Sequence, residues 1–499
     1  MSITNAMLSR LKDASLLRAE GYIGGEWVSQ GLNRDLAPDQ RSFEVSNPSN
    51  GELLATLPEM GAADTRAAIE AAYVAQKDWA ARPAPDRANL LRALNDLVVE
   101  NADDLATIIT AEMGKPWAEA RGEVLYGASY IAWFAEEARR VYGDIIPAPS
   151  SDQRVLVSKQ PIGVTGAITP WNFPSAMLAR KIAPALAAGC AMVSKPAEQT
   201  PLSAIALTVL LERAGIPGAL CPLILGTDGP GIGQEMCSND KLRKLSFTGS
   251  TQVGRILMRQ GADQIMKLSL ELGGNAPFIV FDDADIDAAV AGAMISKYRN
   301  NGQTCVCANR IYVQAGVYDA FAAKLKLAVD ALKVGDGFED GVTTGPMIDG
   351  GGLNKVEAHI KDALEKGATL LTGGSRSDAG ELFFEPTILT GVTSEMLLAR
   401  EETFGPLAPL FKFDTTDEVI KAANDTEFGL AAYFYTRDMS RVFRVSEALE
   451  YGIVGVNTGL ISNATAPFGG VKQSGLGREG SKYGLEDYME IKYVCLGGV

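Results

Sequence analysis

Apolar positions recur at helical spacing through the first part of the chain. Ile69, Ala72, Tyr73, Gln76 and Trp79 fall on one face of a predicted helix. Leu90, Leu91, Leu94, Leu97 and Val98 line a second helix, with Pro83 and Pro85 separating the two. Pro147–Ser151 breaks this pattern before a strand-like Arg154–Ser158. From Gly163 the rhythm becomes strand, helix, strand. Short apolar runs at Gly163–Ile168 and Ala191–Lys195 flank a helical Pro174–Ala188, and runs at Leu220–Leu225, Leu242–Phe247 and Met266–Leu270 continue the series. A second series follows: Phe278–Phe281, a helix to Arg299, Arg310–Val313, a helix to Leu332, and strands past Thr369. Strands alternating with helices predict parallel sheets covered on both faces, here in two α/β domains. Near the chain end, Tyr488–Val494 reads as a strand whose edge needs a cover. Paired with Arg154–Ser158 it would form an oligomer arm; a strand added to its own sheet is an equal alternative.

Composition narrows the function. A chain of 499 residues, 46% hydrophobic and 21% charged, is an ordinary globular protein of roughly three structural units. Its longest apolar stretches, such as Ala204–Leu211, are too short to span a bilayer. Net charge −15 argues against a nucleic-acid partner, and any anionic substrate needs a local positive pocket. The single histidine, His359, lies in a polar helical stretch (Lys355–Lys366), so neither a histidine metal site nor a Cys–His dyad is expected. Six cysteines without CxxC spacing, and no secretory leader, point to a reducing cytoplasm; Asp13 and Glu20 argue against an organelle transit peptide.

Ligands collect at the carboxyl ends of parallel strands, so the residues after each strand carry the chemistry. Thr169-Pro-Trp-Asn-Phe-Pro174 is a rigid turn in which Asn172 either caps the following helix or donates to a developing oxyanion. Lys195-Pro-Ala-Glu198 suits a ribose, and the Glu198 carboxylate would repel a 2′-phosphate; a surface ion pair is the plainer reading. No GxGxxG fingerprint exists, since Gly226–Gly233 has the wrong spacing. Thr248-Gly-Ser-Thr-Gln-Val-Gly254 could meet a phosphate with backbone N–H groups and Ser250. Glu271-Leu-Gly-Gly-Asn275 places a carboxylate at a strand end, and Gly302-Gln-Thr-Cys305-Val-Cys307 offers a nucleophile. A buried thiol is the usual fate of a lone cysteine, but with no histidine near, the available chemistry is thiol plus carboxylate. Cys307, two residues on, is a candidate redox switch against the plainer reading of a packed spectator.

Pro170–Pro174, Lys195–Glu198, Phe247–Ser250, Glu271–Asn275, Gly302–Cys305, Glu401-Glu-Thr-Phe-Gly-Pro406 and Pro467-Phe-Gly-Gly470, in this order, resemble the aldehyde dehydrogenase superfamily from about Gly21 to Val499. The resemblance implies a Rossmann-like NAD(P)-binding domain (1–142 and 161–271), an α/β catalytic domain (272–470) and a bridging β-arm (143–160 and 471–499) that builds homodimers or homotetramers. It implies Cys305 as nucleophile, Asn172 with the Cys305 backbone N–H as oxyanion donors, and Glu271 as the base that hydrolyses a thioester. Trp171, Lys195, Glu198, Gly249, Ser250, Gly254, Glu402 and Phe404 would hold the cofactor, NAD rather than NADP because of Glu198.

Within the superfamily, Gly302–Asn309, Glu401–Pro409 and Pro467–Tyr483 are most similar to succinate-semialdehyde dehydrogenases. Arg180, Arg299 and Ser462 match the two arginines and serine that bind the distal carboxylate, as bidentate, always-charged guanidinium groups can. Glutarate semialdehyde and 2-oxoglutarate semialdehyde differ from succinate semialdehyde by a methylene or carbonyl, a discrimination of only ~1–3 kcal/mol. A cofactor-independent thiol esterase, a coenzyme A-acylating dehydrogenase and a redox-sensing NAD-binding protein are the alternatives.

Overall fold

Cα traces and side chains are taken from a computed structural model that describes residues 1–33 and 36–499. The strand–helix alternation produces two sheets. The first has the order 475–476, 267–271, 242–248, 164–168, 191–195, and all but the short Gly475–Leu476 run parallel. The second has the order 369–372, 387–390, 407–413, 308–314, 276–280, 431–435, 453–456, with Thr369–Thr372 the one antiparallel member. Buried on both faces, their strands are continuous apolar runs such as Ala276–Val280 rather than alternating ones.

Helices Ala62–Ala81, Ala84–Glu100, Ala102–Met113 and Trp117–Glu137 precede the first sheet. The helix Pro174–Ala188 packs beneath it. Pro174 at its first turn presets φ, and Gly189 in the left-handed region (φ 97°) stops it. All fifteen of its residues are buried, Arg180 and Lys181 among them, so this helix must find countercharges inside the protein.

One expected strand is absent. Leu220–Leu225 is not a regular strand: Gly218–Leu220 is a 3-10 turn, and only Leu223 forms bridges, to Tyr22 and Ser194. Pro222 lacks the N–H that the next ladder bond needs, so the segment joins the edge strand at Ser194 alone, through Pro222 O and Ile224 N–H (both 2.9 Å). At the other extreme, Gln153–Pro161 and Met489–Gly497 pair antiparallel along nine residues, with Asp144–Ile146 as third strand. This small sheet is separate from the other two. It exposes Ile145, Ile491 and Tyr493, an apolar edge. Among the described residues, no helix is long and apolar enough to cross a membrane.

Candidate active site

The parallel topology brings the strand ends to one place. Thr169–Phe173 follows the strand ending at Ile168, Gly249–Ser250 the strand ending at Thr248, and Glu271 is itself the last residue of its strand. They meet Cys305 from the second sheet around a cavity of about 500 Å³. Of the residues marked by sequence, Trp171, Asn172, Arg180, Gly249, Ser250, Glu271, Arg299, Cys305, Glu402, Phe404 and Ser462 line it. Lys195, Glu198, Gly254 and Cys307 do not.

Cys305 is presented by an unusual turn. Asn300 (φ 53°), Asn301 (φ 56°) and Gly302 (φ 72°) are consecutive left-handed residues, which Asn and Gly accept most readily. They reverse the chain after the helix Ile286–Tyr298 and are held from inside. Asn300 N–H donates to Glu119 (2.8 Å) and Asn301 Nδ2 to Gly345 O (3.0 Å), while the Gln303 carboxamide accepts from Ile348 N–H (3.0 Å). On the opposite side, Gly274 leaves room for the Cys305 carbonyl, which a Cβ there would approach to 2.5 Å.

Asn172 does not cap the next helix. The helix begins without a side-chain cap from the turn, and the N–H groups of Ser175 and Ala176 donate to Glu123 instead. Asn172 Nδ2 donates to Gln303 O (2.9 Å), and Lys115 Nζ donates to Asn172 O (2.6 Å) while pairing with Glu123 (2.7 Å). One carboxamide hydrogen is thereby tethered toward the Cys305 loop and the other is left over. Lys115, Glu119 and Glu123 form a buried charged floor that the sequence reading missed. Charged residues at helical spacing look like a solvated face until the tertiary fold is known.

The Glu271 carboxyl is buried, and neither of its oxygens has a hydrogen-bond partner among the described residues. Burial, with the negative charge of Glu479 nearby, pushes its pKa far above the ordinary carboxylate range. Glu479 goes the other way. Its own burial is overcome by Lys181 (2.5 Å) and Arg180 (2.6 Å), which hold it ionised. Two neighbouring carboxyls thus take opposite protonation states, an arrangement suited to proton exchange at the upper one. Burial also pushes the Cys305 thiol up to about 12, with Arg180 opposing and the two glutamates Glu402 and Glu271 reinforcing.

The cavity is also lined by Arg180, Arg299, Ser462, Tyr126, Phe173 and Phe468. Arg180 is already neutralised by Glu479 and sandwiched between Tyr130 (5.2 Å) and Phe468 (4.1 Å). Arg299 lies over Phe173 (5.6 Å), and its Nε, like that of Arg180, has no hydrogen-bond partner among the described residues. Arg180 is ion-paired with Glu479, whereas Arg299 makes no ion pair among the described residues.

Toward the first sheet, Glu402 accepts the Gly274 N–H (3.1 Å), and burial raises its pKa to about 7. Phe404, at φ 56°, meets Trp171 edge to face at 5.6 Å. Ser250 caps the helix Thr251–Gly261 through Val253 N–H, and Gly254 allows that helix to sit against Leu272. Lys195 and Glu198 pair at 3.4 Å, with Glu198 half-exposed beside a second cavity. Cys307 is fully buried, its sulfur 3.4 Å from both Lys297 Nζ and the Lys297 carbonyl. Among the described residues, no group of three or more metal-ligating side chains converges.

The chain is similar to known proteins along nearly all of its length. The model of the aldehyde dehydrogenase family matches residues 36–494. The chain is 61% identical to a glutarate-semialdehyde dehydrogenase of Pseudomonas aeruginosa, over 98% of this chain and 100% of that protein. It is 60% identical to GabD of Escherichia coli, a succinate-semialdehyde dehydrogenase named for NADP(+), over 98% and 100% of the respective chains. A solved succinate-semialdehyde dehydrogenase from Burkholderia pseudomallei is 61% identical with TM-score 0.95, covering 98% of this chain and 99% of its own.

Proposed function

The chain belongs to the aldehyde dehydrogenase family, and from that premise we propose that it oxidises a short ω-carboxylate semialdehyde, succinate semialdehyde first, to the corresponding acid with a nicotinamide cofactor. The observation that carries this is one cavity lined by a thiol, by a buried carboxyl without a hydrogen-bond partner among the described residues, and by an arginine without an ion pair among them.

The residues present fit a nicotinamide cofactor. Glu402 holds its carboxylate beside Gly273, where a Cβ would come within 3.0 Å of it, and Trp171, Phe404 and Gly249–Ser250 close the remaining sides. Glu402 would take the ribose next to the nicotinamide, Lys195 and Glu198 the adenosine ribose, and Ser250 a phosphate. When bound, the cofactor supplies the hydride acceptor. The protein supplies the rest. Cys305 Sγ bonds to the aldehyde carbon as its proton passes to the ionised form of Glu271 and on to solvent, giving a thiohemiacetal oxyanion held by Asn172 Nδ2 and the Cys305 N–H. Once oxidised to a thioester, the acyl group is released by water whose proton goes to Glu271, ionised again, with the Lys181-held charge of Glu479 governing that proton state. Arg299 and Ser462 bind the distal carboxylate, with Arg180 shaping the wall through Glu479.

Glu198 favours NAD, because its carboxylate would face a 2′-phosphate; the NADP(+) in the Escherichia coli relative's name is the competing consideration. Initial rates with both cofactors, in wild type and Glu198→Ser, decide it: NAD is preferred by wild type and that preference shrinks in the variant. The domains are assigned as 1–142 and 161–271 for cofactor and 272–470 for catalysis; of the expected arm (143–160 and 471–499), Gly475–Leu476 belongs instead to the first sheet, and 144–161 with 489–497 form the arm between subunits of a cytoplasmic homo-oligomer.

The mechanism is tested by trapping. Glu271→Gln, mixed with succinate semialdehyde and cofactor, should accumulate one succinyl group on Cys305 by intact mass and peptide mapping. Turnover of Glu271→Gln at the wild-type rate, or a label on another residue, would sink the assignment.

A further inference from the structure

His359 lies far from the thiol in sequence and outside the chemistry proposed above, yet it is buried to 2% exposure. It sits on the inward face of the helix Gly350–Glu365, with Leu353, Val356, Ile360 and Ala363. Its two ring nitrogens meet one short segment: Nδ1 is 3.1 Å from Thr403 Oγ1 and Nε2 is 3.3 Å from the Glu401 carboxylate. The residue between those two partners is Glu402.

Glu401 is in β conformation and Phe404 is in the left-handed region (φ 56°). The contacts place Glu401 and Thr403 against the helix, at His359, while Glu402 and Phe404 line the cavity. Among the described residues, no backbone hydrogen bond reaches Glu402, Thr403 or Phe404 from elsewhere in the chain. Inward, the segment is tied by Glu402 to Gly274 N–H; outward, the Glu401 N–H bonds to Leu397 O and the Glu401 and Thr403 side chains meet His359. A carboxylate only accepts, so Nε2 carries the ring proton and Nδ1 accepts from the Thr403 hydroxyl. Both ring nitrogens and the hydroxyl proton are then satisfied by a neutral imidazole, the form that burial favours.

We propose that His359 is a positioning residue for the cofactor, clamping Thr403 and Glu401 so that the intervening Glu402 and the following Phe404 are aimed into the cavity. The proposal rests on the reading of Glu402 as a cofactor-binding residue. It assigns His359 no contact with substrate, and Arg299 and Ser462 are left undisturbed.

The test is titration of the apoenzyme with NADH and with NADPH, followed by nucleotide fluorescence, beside KM values for cofactor and aldehyde. Wild type is compared with His359→Leu, His359→Asn, Thr403→Val and Glu402→Gln. His359→Leu keeps much of the volume and loses both bonds, whereas His359→Asn keeps an amide near the position of Nδ1. The expected result is about tenfold weaker nucleotide binding in His359→Leu and Thr403→Val, partial rescue in His359→Asn, and aldehyde KM within twofold of wild type. Combining His359→Leu with Thr403→Val should add little, because both remove the same bond. Should His359→Leu not fold, Thr403→Val, which is isosteric, carries the same prediction. Wild-type binding in His359→Leu or Thr403→Val, with weakened binding in Glu402→Gln, would overturn the proposal and leave the cofactor site standing. Unchanged binding in Glu402→Gln would remove the site reading and this inference with it.

Discussion

At the scale of single residues, the site is defined by groups denied their usual partners. Glu271 is buried without a hydrogen bond, and its folded-state pKa lies well above the unfolded value. The sign follows directly. Between those two values the folded protein binds the extra proton, so stability falls as pH rises through that window. Glu271→Gln, which never ionises, should therefore melt higher than wild type at pH 8, with the difference vanishing near pH 4, while releasing acid at least ~100-fold more slowly. A lower melting temperature for Glu271→Gln at pH 8 would show that the carboxyl is compensated by something else. Cys305, with its thiol pushed up to about 12, should react with iodoacetamide in the apoenzyme at a rate still climbing at pH 9.5. A plateau near pH 7 would show a pre-formed thiolate. Cys305 and Glu271 were legible in the sequence because each closes a strand or bend with small residues beside it. Glu479 was not: its partner Lys181 is 298 positions away, and neither carries a local pattern.

At the scale of elements, two loops do the positioning, and both depend on backbone that most residues avoid. The Asn300-Asn301-Gly302 turn holds three left-handed residues in succession beneath the nucleophile. A β-branched side chain there is strained, so Asn301→Val should lose ~1–3 kcal/mol of stability in denaturant unfolding. It should also lower kcat more than it raises the aldehyde KM, since Cys305 moves while Arg299 precedes the turn. A variant as stable and active as wild type would show that the turn is not set by its side chains. The sequence announced the strand ends because parallel strands read as uninterrupted apolar runs. It misplaced one element, Leu220–Leu225, where the run is apolar but Pro222 denies the ladder a donor. Asn172 shows the opposite limit. A turn before a helix resembles a cap in sequence, and only the tertiary structure shows Glu123 capping the helix while the Asn172 carboxamide donates to Gln303 O.

At the scale of the whole molecule, the acidic surface and the apolar arm make separate demands. The net charge of −15 opposes any anionic substrate, so recognition must be local. The fold meets this by lining the cavity with a buried Arg180 and a half-buried Arg299 and pairing only the first, with Glu479. The strand Met489–Gly497 leaves Ile491 74% exposed, an apolar edge that the proposed homo-oligomer would cover. Ile491→Asp, placed on that edge and away from the cavity, should lower the mass seen by sedimentation; an unchanged mass would assign the oligomer contact to another surface.

The central claim is that the cavity selects an aldehyde by its distal carboxylate through Arg299. The most direct measurement is the initial rate of reduced-cofactor formation with succinate semialdehyde and with propanal, in wild type and in Arg299→Ala. The account predicts a strong wild-type preference for succinate semialdehyde and a 10- to 100-fold loss of kcat/KM for that substrate alone in Arg299→Ala, about 1.4–2.7 kcal/mol, as expected for a charged hydrogen-bonded contact. Equal rates with propanal in wild type, or equal losses for both aldehydes in Arg299→Ala, would contradict it.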